Sequence, residues 1–127
     1  MTELIHKELS YRINGILYKT DNLVGPGQPE KTYCNAIEEL FKESAIKYTR
    51  EIYYSIKVND KVISKQFFDF LVEDRIVLEI KTGNYMYRNS IDQVFQYLKN
   101  SKIQLGLIAR FAKDGVQIKR VLNIRNL

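Results

Sequence analysis

The sequence is poor in the residues that carry thiol and zinc chemistry. It contains one cysteine, one histidine and no tryptophan. A single cysteine cannot form an internal disulfide, so a disulfide framework is excluded, and we expect Cys34 to be a small buried core residue. Because His6 is the only histidine, the composition argues against a zinc site and against a histidine-based catalyst.

Long hydrophobic runs are also absent. Charged residues interrupt every apolar stretch well before the roughly 18 residues that a membrane helix requires. The N-terminus, MTELIHKEL, lacks the basic start and apolar middle of a secretory signal. We therefore expect a cytoplasmic protein without a membrane partner. With 127 residues, 45% of them hydrophobic, the chain is predicted to form a single domain over residues 1–127.

The charge is unbalanced towards the basic side. Twenty lysines and arginines face fifteen acidic residues, which gives a formal net charge of +5. This excess favours an anionic partner, with nucleic acid as the first candidate. The basic residues are spread along the chain, so ordinary solubility is the alternative explanation.

Hydrophobic periodicity and turn residues predict eight elements. Helices are predicted at residues 3–20, 29–45 and 88–100, and strands at 48–58, 62–72, 75–82, 103–111 and 116–124. The order is helix, helix, three strands in a meander, helix, strand, strand. This order predicts an α/β sandwich built on a mixed sheet.

Three charged residues stand inside an apolar run, FFDFLVEDRIVLEIKTG, at residues 67–83. Strand alternation puts Glu79 and Lys81 on one face, and the short turn before them brings Asp69 alongside. Two carboxylates suit a hard divalent cation, and a neighbouring lysine can orient a water or stabilise phosphate charge. The pattern therefore favours phosphodiester hydrolysis. A cross-strand salt bridge on a solvated sheet face is the alternative.

A further glutamate opens the second predicted helix. On a helical wheel, Glu30 lies in the middle of the apolar arc that includes Ile37 and Phe41, whereas Glu39 and Glu43 lie on the opposite side. One interpretation is a third acidic group turned towards the sheet. The other is a carboxylate that interacts with the dipole at the start of the helix.

The third predicted helix and the segment before it hold polar candidates. Its apolar stripe is predicted to contain Ile91, Val94, Phe95 and Leu98. Gln93 and Tyr97 are four residues apart on the opposite side, where a solvated face is the plain interpretation. In the preceding GNYMYRN segment, Tyr85, Tyr87 and Arg88 are placed either to stack on bases and contact phosphate or to form a mobile polar loop.

One short motif links these residues to a known family. The segment GQPEKTY places Gly27, Glu30 and Tyr33 at the spacing of a GxxExxY motif. This motif, with the flanking GILYKTDNLVGPG and FDFLVEDRIVLEIKTG segments, resembles the GxxExxY family of the PD-(D/E)XK nuclease superfamily. The superfamily's hallmark, an acidic residue followed on the next strand by Glu-x-Lys, is similar to Asp69, Glu79 and Lys81.

The resemblance implies a role for each residue of this hallmark. It implies that Asp69, Glu79 and the backbone carbonyl of Ile80 hold a metal, Mg²⁺ or Mn²⁺, and that Glu30 completes the metal shell. It also implies that Lys81 positions the attacking water.

The same resemblance extends to residues that contact a substrate. Gln93 and Tyr97 are similar to a QxxxY element that contacts the substrate strand in related nucleases, and we add Tyr33 and Arg88 as candidate substrate contacts. The sequence departs from the superfamily's pattern at Phe68, which stands where the eponymous proline would be.

Together with the element order, the resemblance implies a restriction-endonuclease-like α/β fold. An αβββαβ core, with a mixed sheet flanked by helices, is preceded by an extra N-terminal helix. The predicted activity is metal-dependent hydrolysis of DNA, with RNA as the less favoured substrate. Two other classes stay open: a nucleic-acid-binding module that has lost catalysis, and an interaction protein that forms a homodimer through an exposed sheet edge.

Overall fold

The helices and strands follow the predicted order. The computed structural model describes residues 5–84 and 87–123. Its elements are α1 (Lys7–Val24), α2 (Glu30–Glu43), β1 (Tyr48–Val58), β2 (Lys61–Val72), β3 (Ile76–Thr82), α3 (Tyr87–Asn100), β4 (Leu105–Ala112) and β5 (Gly115–Leu122). Among the described residues, no helix is both long and apolar enough to cross a membrane.

The largest difference from the predicted bounds is at α1. This helix was expected to end at residue 20, yet it continues to Val24 and stops where Gly25 adopts a positive φ of 77°. A positive φ is accessible to glycine without steric strain, so Gly25 provides the stop signal. Thr20 is fully buried, so this part of α1 packs against the core, and its hydroxyl donates to the carbonyl of Ile16 within the helix.

The five strands form one mixed sheet in the order β1-β2-β3-β4-β5. All neighbouring strands are antiparallel except β3 and β4, which are parallel. A parallel pair needs a crossover connection, and α3 provides it. The fold is therefore the predicted α/β arrangement.

The two faces of the sheet bury separate cores. On one face, α1 and α2 cover Ile76, Leu78 and Ile80 of β3. On the other face, α3 covers Val77 of β3 together with Ile108 of β4. The alternation predicted for β3 is thus confirmed, and both faces of this central strand are enclosed.

The buried face of α3 is rotated from its predicted position. Val94 and Leu98 are fully buried, but Phe95 is 42% exposed and Tyr97 packs against the second core. Around the helix, Tyr97 lies about 60° from Val94 and Phe95 lies about 60° from Leu98, so each borders the buried stripe on one side. The prediction that Phe95 joins the buried stripe and that Tyr97 lies opposite it is therefore wrong.

Candidate active site

The strands β2 and β3 separate where the predicted carboxylates meet. Their backbone pairing ends at Phe70 and Leu78. Beyond this point, the N–H of Asp69 donates to Oε1 of Glu79 at 3.2 Å, and the N–H of Ile80 donates to Oδ2 of Asp69 at 2.7 Å. Each carboxylate thus accepts a hydrogen bond from the backbone of the opposite strand, which fixes the pair in the opening between the strands.

Lys81 lies beside this pair. Its Nζ atom is 3.7 Å from Oε2 of Glu79, and only 19% of its side chain is exposed. A cleft of about 390 Å³ opens over these groups, and its lining residues are Glu30, Glu51, Phe67, Phe68, Asp69, Glu79 and Lys81. The structure therefore brings the four predicted catalytic side chains, from α2, β2 and β3, to one cleft.

The electrostatics of the cleft favour a bound cation. Burial raises the pKa of Glu79, the hydrogen bond and negative charge of Asp69 raise it further, and Lys81 acts in the opposite direction. Two close carboxylates cannot both ionise easily away from water, and a divalent cation offsets their repulsion. Within residues 5–84 and 87–123, no group of three or more His, Cys, Asp or Glu side chains is arranged to hold a metal ion. The preformed element is the Asp69–Glu79 pair.

The loop before α2 determines where Glu30 lies. Gly27 has a positive φ of 87°, and α2 begins at Glu30 two residues after Gln28. The hydroxyl of Tyr33 donates to the carbonyl of Gly25 at 2.6 Å and accepts the N–H of Gln28 at 3.4 Å. Gly27 therefore allows the turn of the loop before α2, and the hydroxyl of Tyr33 holds that loop in place ahead of Glu30.

Glu30 is exposed, but it interacts with the cleft. Partial burial is the largest cause that raises its pKa; Lys81 opposes this shift and Asp69 adds to it. Glu30 also lines the cleft together with Asp69, Glu79 and Lys81, so it lies beside the charged groups of β2 and β3. Its position agrees with the inward-turned glutamate considered from the helical wheel.

Tyr33 is fully buried, and its ring stacks on Phe111 with centroids 4.3 Å apart. A side chain without exposed surface cannot reach a bound substrate. The structure therefore corrects the prediction of a substrate contact: Tyr33 is part of the framework of the loop before α2.

Gln93 and Tyr97 occupy different environments on α3. Gln93 is exposed to solvent. Tyr97 is half-buried, and its ring centroid is 5.1 Å from that of Phe68 and 5.9 Å from that of Tyr54. Because Phe68 lines the cleft, Tyr97 supports the cleft wall from behind.

The segment before α3 is only partly described. Tyr85 lies outside the described residues, and Arg88 is exposed in the first turn of α3. Tyr87 begins the helix, donates its hydroxyl proton to the carbonyl of Gln117 at 3.1 Å, and lies under the guanidinium of Arg110 at 5.8 Å. Tyr87 thus anchors the start of α3 to the sheet, whereas Arg88 is exposed to solvent.

Glu51 is a cleft residue that the sequence prediction missed. It has a positive φ of 61°, and the backbone pairs on either side of it are Arg50 with Phe70 and Ile52 with Phe68. This register places Glu51 across from Asp69, without a backbone pair of its own. In the sequence YTREIYYSIKV it fits the alternation of an ordinary solvated strand residue, so no signal marked it.

The fold and the cleft together define a restriction-endonuclease-like domain, with a mixed sheet, helices on both faces and charged residues where two central strands separate. Residues 7–121 match the family model of the PD-(D/E)XK nuclease superfamily, and the chain belongs to that superfamily.

A solved structure, that of SSO0001, has a similar fold. The TM-score is 0.56 at 20% sequence identity, over 74% of this chain and 50% of that chain. The similarity therefore spans half the length of that protein and concerns the fold alone. No curated protein matches the sequence.

Proposed function

We propose that this domain is a divalent-metal-dependent nuclease that hydrolyses phosphodiester bonds in DNA, in preference to RNA, and that it is a GxxExxY member of its superfamily. The observation that carries the proposal is the pairing of Asp69 with Glu79 beside Lys81 at the end of the β2–β3 backbone ladder. The net charge of +5 suits a polyanionic substrate.

The donor set fits Mg²⁺ or Mn²⁺. Asp69 and Glu79 supply carboxylate oxygens, which these hard cations prefer. The N–H of Ile80 points towards Asp69, and the carbonyl of the same residue lies on that side of an extended strand. Glu30 approaches from α2 and would complete the set. When bound, such an ion supplies Lewis acidity at a phosphate oxygen.

The chain's own residues account for the other requirements of hydrolysis. The ammonium of Lys81 is placed to donate a hydrogen bond to the attacking water and to offset negative charge on the phosphate. The two backbone hydrogen bonds to Asp69 and Glu79 hold these carboxylates in one arrangement before a substrate arrives, which lowers the reorganisation that the reaction needs.

The proposal is tested by incubating labelled single- and double-stranded DNA with Mg²⁺, Mn²⁺ or EDTA. Asp69→Asn and Lys81→Ala should each lower metal-dependent cleavage at least about 100-fold. Asp114→Asn, in the turn between β4 and β5, and Lys99→Ala, at the end of α3, are matched controls and should cleave as the wild type does. Calorimetric titration with Mn²⁺ should show binding that Asp69→Asn loses.

Binding of DNA without cleavage would contradict the proposed nuclease. If no metal supports cleavage while all these variants keep the same salt-sensitive DNA binding, the domain is a binding module without catalysis. Folding of each variant is checked by circular dichroism, since only a folded variant can assign the loss to the site.

A further inference from the structure

The hairpin formed by β1 and β2 exposes an unusual share of large apolar side chains. Ten such residues are exposed within the described part of the chain, and five of them lie on this hairpin: Tyr53, Val58, Val62, Ile63 and Phe67. Single exposed apolar residues are normal on any protein surface. A concentration of this kind on one element instead indicates a contact surface.

The outer part of the hairpin is a two-stranded ribbon. Strand β2 pairs with β3 only from Phe70 onwards, so the preceding residues of β2 pair with β1 alone. One face of this ribbon packs on α3, where Tyr54 and Phe68 contact the ring of Tyr97. Alternation along the strands puts Tyr53 and Phe67 on the other face.

These two residues form an open aromatic pair. They are directly opposite each other in the strand register, their ring centroids are 6.2 Å apart, and their planes meet at 44°. Tyr53 is 63% exposed and Phe67 is 64% exposed. Both rings therefore have faces that a planar ligand can reach.

The charge around the pair is positive. The Nζ atom of Lys65 lies 5.5 Å from the centroid of Tyr53, and Lys57 and Lys61 are exposed further along the ribbon. Against these three lysines, residues 52–68 contain one acidic side chain, Asp60, and the next acidic residues, Glu51 and Asp69, line the cleft beside Phe67. The surface is complementary to a polyanion, whereas two copies of it would repel each other.

The aromatic pair is continuous with the cleft. Phe67 lines the cleft together with Asp69, and two residues along a strand span about 7 Å. A planar group on Phe67 is therefore next to a phosphate held at Asp69.

We propose that Tyr53 and Phe67 form a stacking platform for unpaired nucleotides, and that the substrate class is DNA with a single-stranded segment beside the scissile phosphate. This inference rests on the proposed nuclease function. In a duplex, neighbouring bases cover both faces of every internal base and one face of each terminal base, so an unpaired base is the ligand that offers both faces to these rings. The lysines contact the phosphates between stacked bases.

The test compares binding of a fluorescein-labelled 15-nucleotide oligothymidine and a blunt 15-base-pair duplex by fluorescence anisotropy in EDTA. The Tyr53→Ala/Phe67→Ala variant should bind the oligothymidine at least about tenfold more weakly, because stacking of one base is worth a factor of about 5 to 150. Its affinity for the duplex should change less than about twofold. The Tyr53→Phe/Phe67→Tyr variant and Tyr18→Ala, an exposed tyrosine on α1, should bind both ligands as the wild type does.

Unchanged binding of oligothymidine, or an equal loss for both ligands, would overturn the platform. So would sedimentation showing a wild-type dimer that Tyr53→Ala/Phe67→Ala converts to monomers, since the pair would then be a self-interface. The two proposals fail separately. A wild type that cleaves DNA but binds oligothymidine without these rings refutes only the platform, whereas ring-dependent binding without cleavage under any metal refutes only the nuclease.

Discussion

Replacing Gly106 by alanine should displace α3 from the sheet. Gly106 lies on β4 directly beneath this helix, and a Cβ atom added to it would be 2.3 Å from Cγ1 of Val94 and 3.2 Å from Cγ1 of Val77. Ordinary van der Waals contacts begin at 3.4 Å. Val94 and Val77 are both fully buried, so neither side chain has space to move aside. The helix itself must move outwards by about 1 Å.

The expected loss of stability follows from two opposing effects. Overpacking of a core costs about 1–3 kcal/mol. Alanine restricts the unfolded chain more than glycine does, and this stabilises the folded state by about 0.4–1 kcal/mol. Because the clash is with a helix that packs along its length, we expect Gly106→Ala to lower the free energy of unfolding by about 2 kcal/mol.

A second substitution tests the cause of this loss. Val94→Ala removes the clashing methyl group and, alone, should cost about 1–3 kcal/mol through the cavity it leaves. The double variant should be more stable than the sum of the single losses predicts, by at least about 1 kcal/mol, since each change relieves the defect of the other. Urea denaturation followed by circular dichroism measures all three free energies of unfolding.

Gly15→Ala is the matched control. Gly15 is exposed on α1, and an added Cβ would meet nothing within 4 Å, so alanine there should stabilise the protein by about 1 kcal/mol. A neutral Gly106→Ala variant, or strictly additive losses in the double variant, would refute the reasoning from the close contact.

Three further predictions concern the cleft and its supports. Glu79→Gln should stabilise the metal-free protein at pH 8 but not at pH 4. Because the pKa of Glu79 is raised in the folded protein, the free energy of unfolding of the wild type falls as the pH rises above 4.5, the usual pKa of a glutamate. Equal urea midpoints of wild type and variant at pH 8 would contradict this prediction. Tyr33→Phe removes the bond to the carbonyl of Gly25 and should lower the free energy of unfolding by about 1–2 kcal/mol, measured by urea denaturation. Arg110→Gln, which loses a 2.9 Å bond to the carbonyl of Gly83, should increase amide hydrogen exchange in the turn after β3; unchanged exchange would count against this anchor.

The central strands and the acidic pair were accessible from sequence because both depend on local patterns. Strand β1 was predicted with the bounds that the structure shows, Tyr48–Val58, since a long alternation and the tight turn expected at the NDK segment, residues 59–61, define it. The short turn between β2 and β3 likewise determines the lateral position of Asp69 against Glu79. The register between two strands can be counted from the turn that joins them, provided that neither strand contains a bulge.

The rotation of α3 was not accessible in the same way. Phe95 and Tyr97 are both aromatic and both lie at the borders of the apolar stripe, so composition does not decide which of them turns inwards. Tertiary packing decides it, because Phe68 and Tyr54 of the hairpin offer their rings to Tyr97. Long-range contacts of this kind leave no local pattern in the sequence.

The position of Glu51 depends on irregularities of the backbone. Counted from the hairpin turn without interruption, Glu51 would face Phe68; a register shift between Ile56 and Lys57 makes it face Asp69 instead. Beside Glu51, strand β2 also changes the face that it buries. Phe68 lies in the core under α3, whereas Phe70, two residues further along, lies in the core under α1 and α2.

This change of face explains why the cleft forms where it does. Side chains two residues apart on a regular strand face the same side, so Phe68 and Phe70 reach opposite cores only if β2 twists between them. Asp69 stands at that twist, and β3 separates from β2 at the same level. Because the two strands no longer pair there, the N–H of Ile80 donates its hydrogen bond to the Asp69 carboxylate. The twist that opens the cleft also directs Phe67 away from α3, so the acidic pair and the exposed aromatic pair share one structural cause.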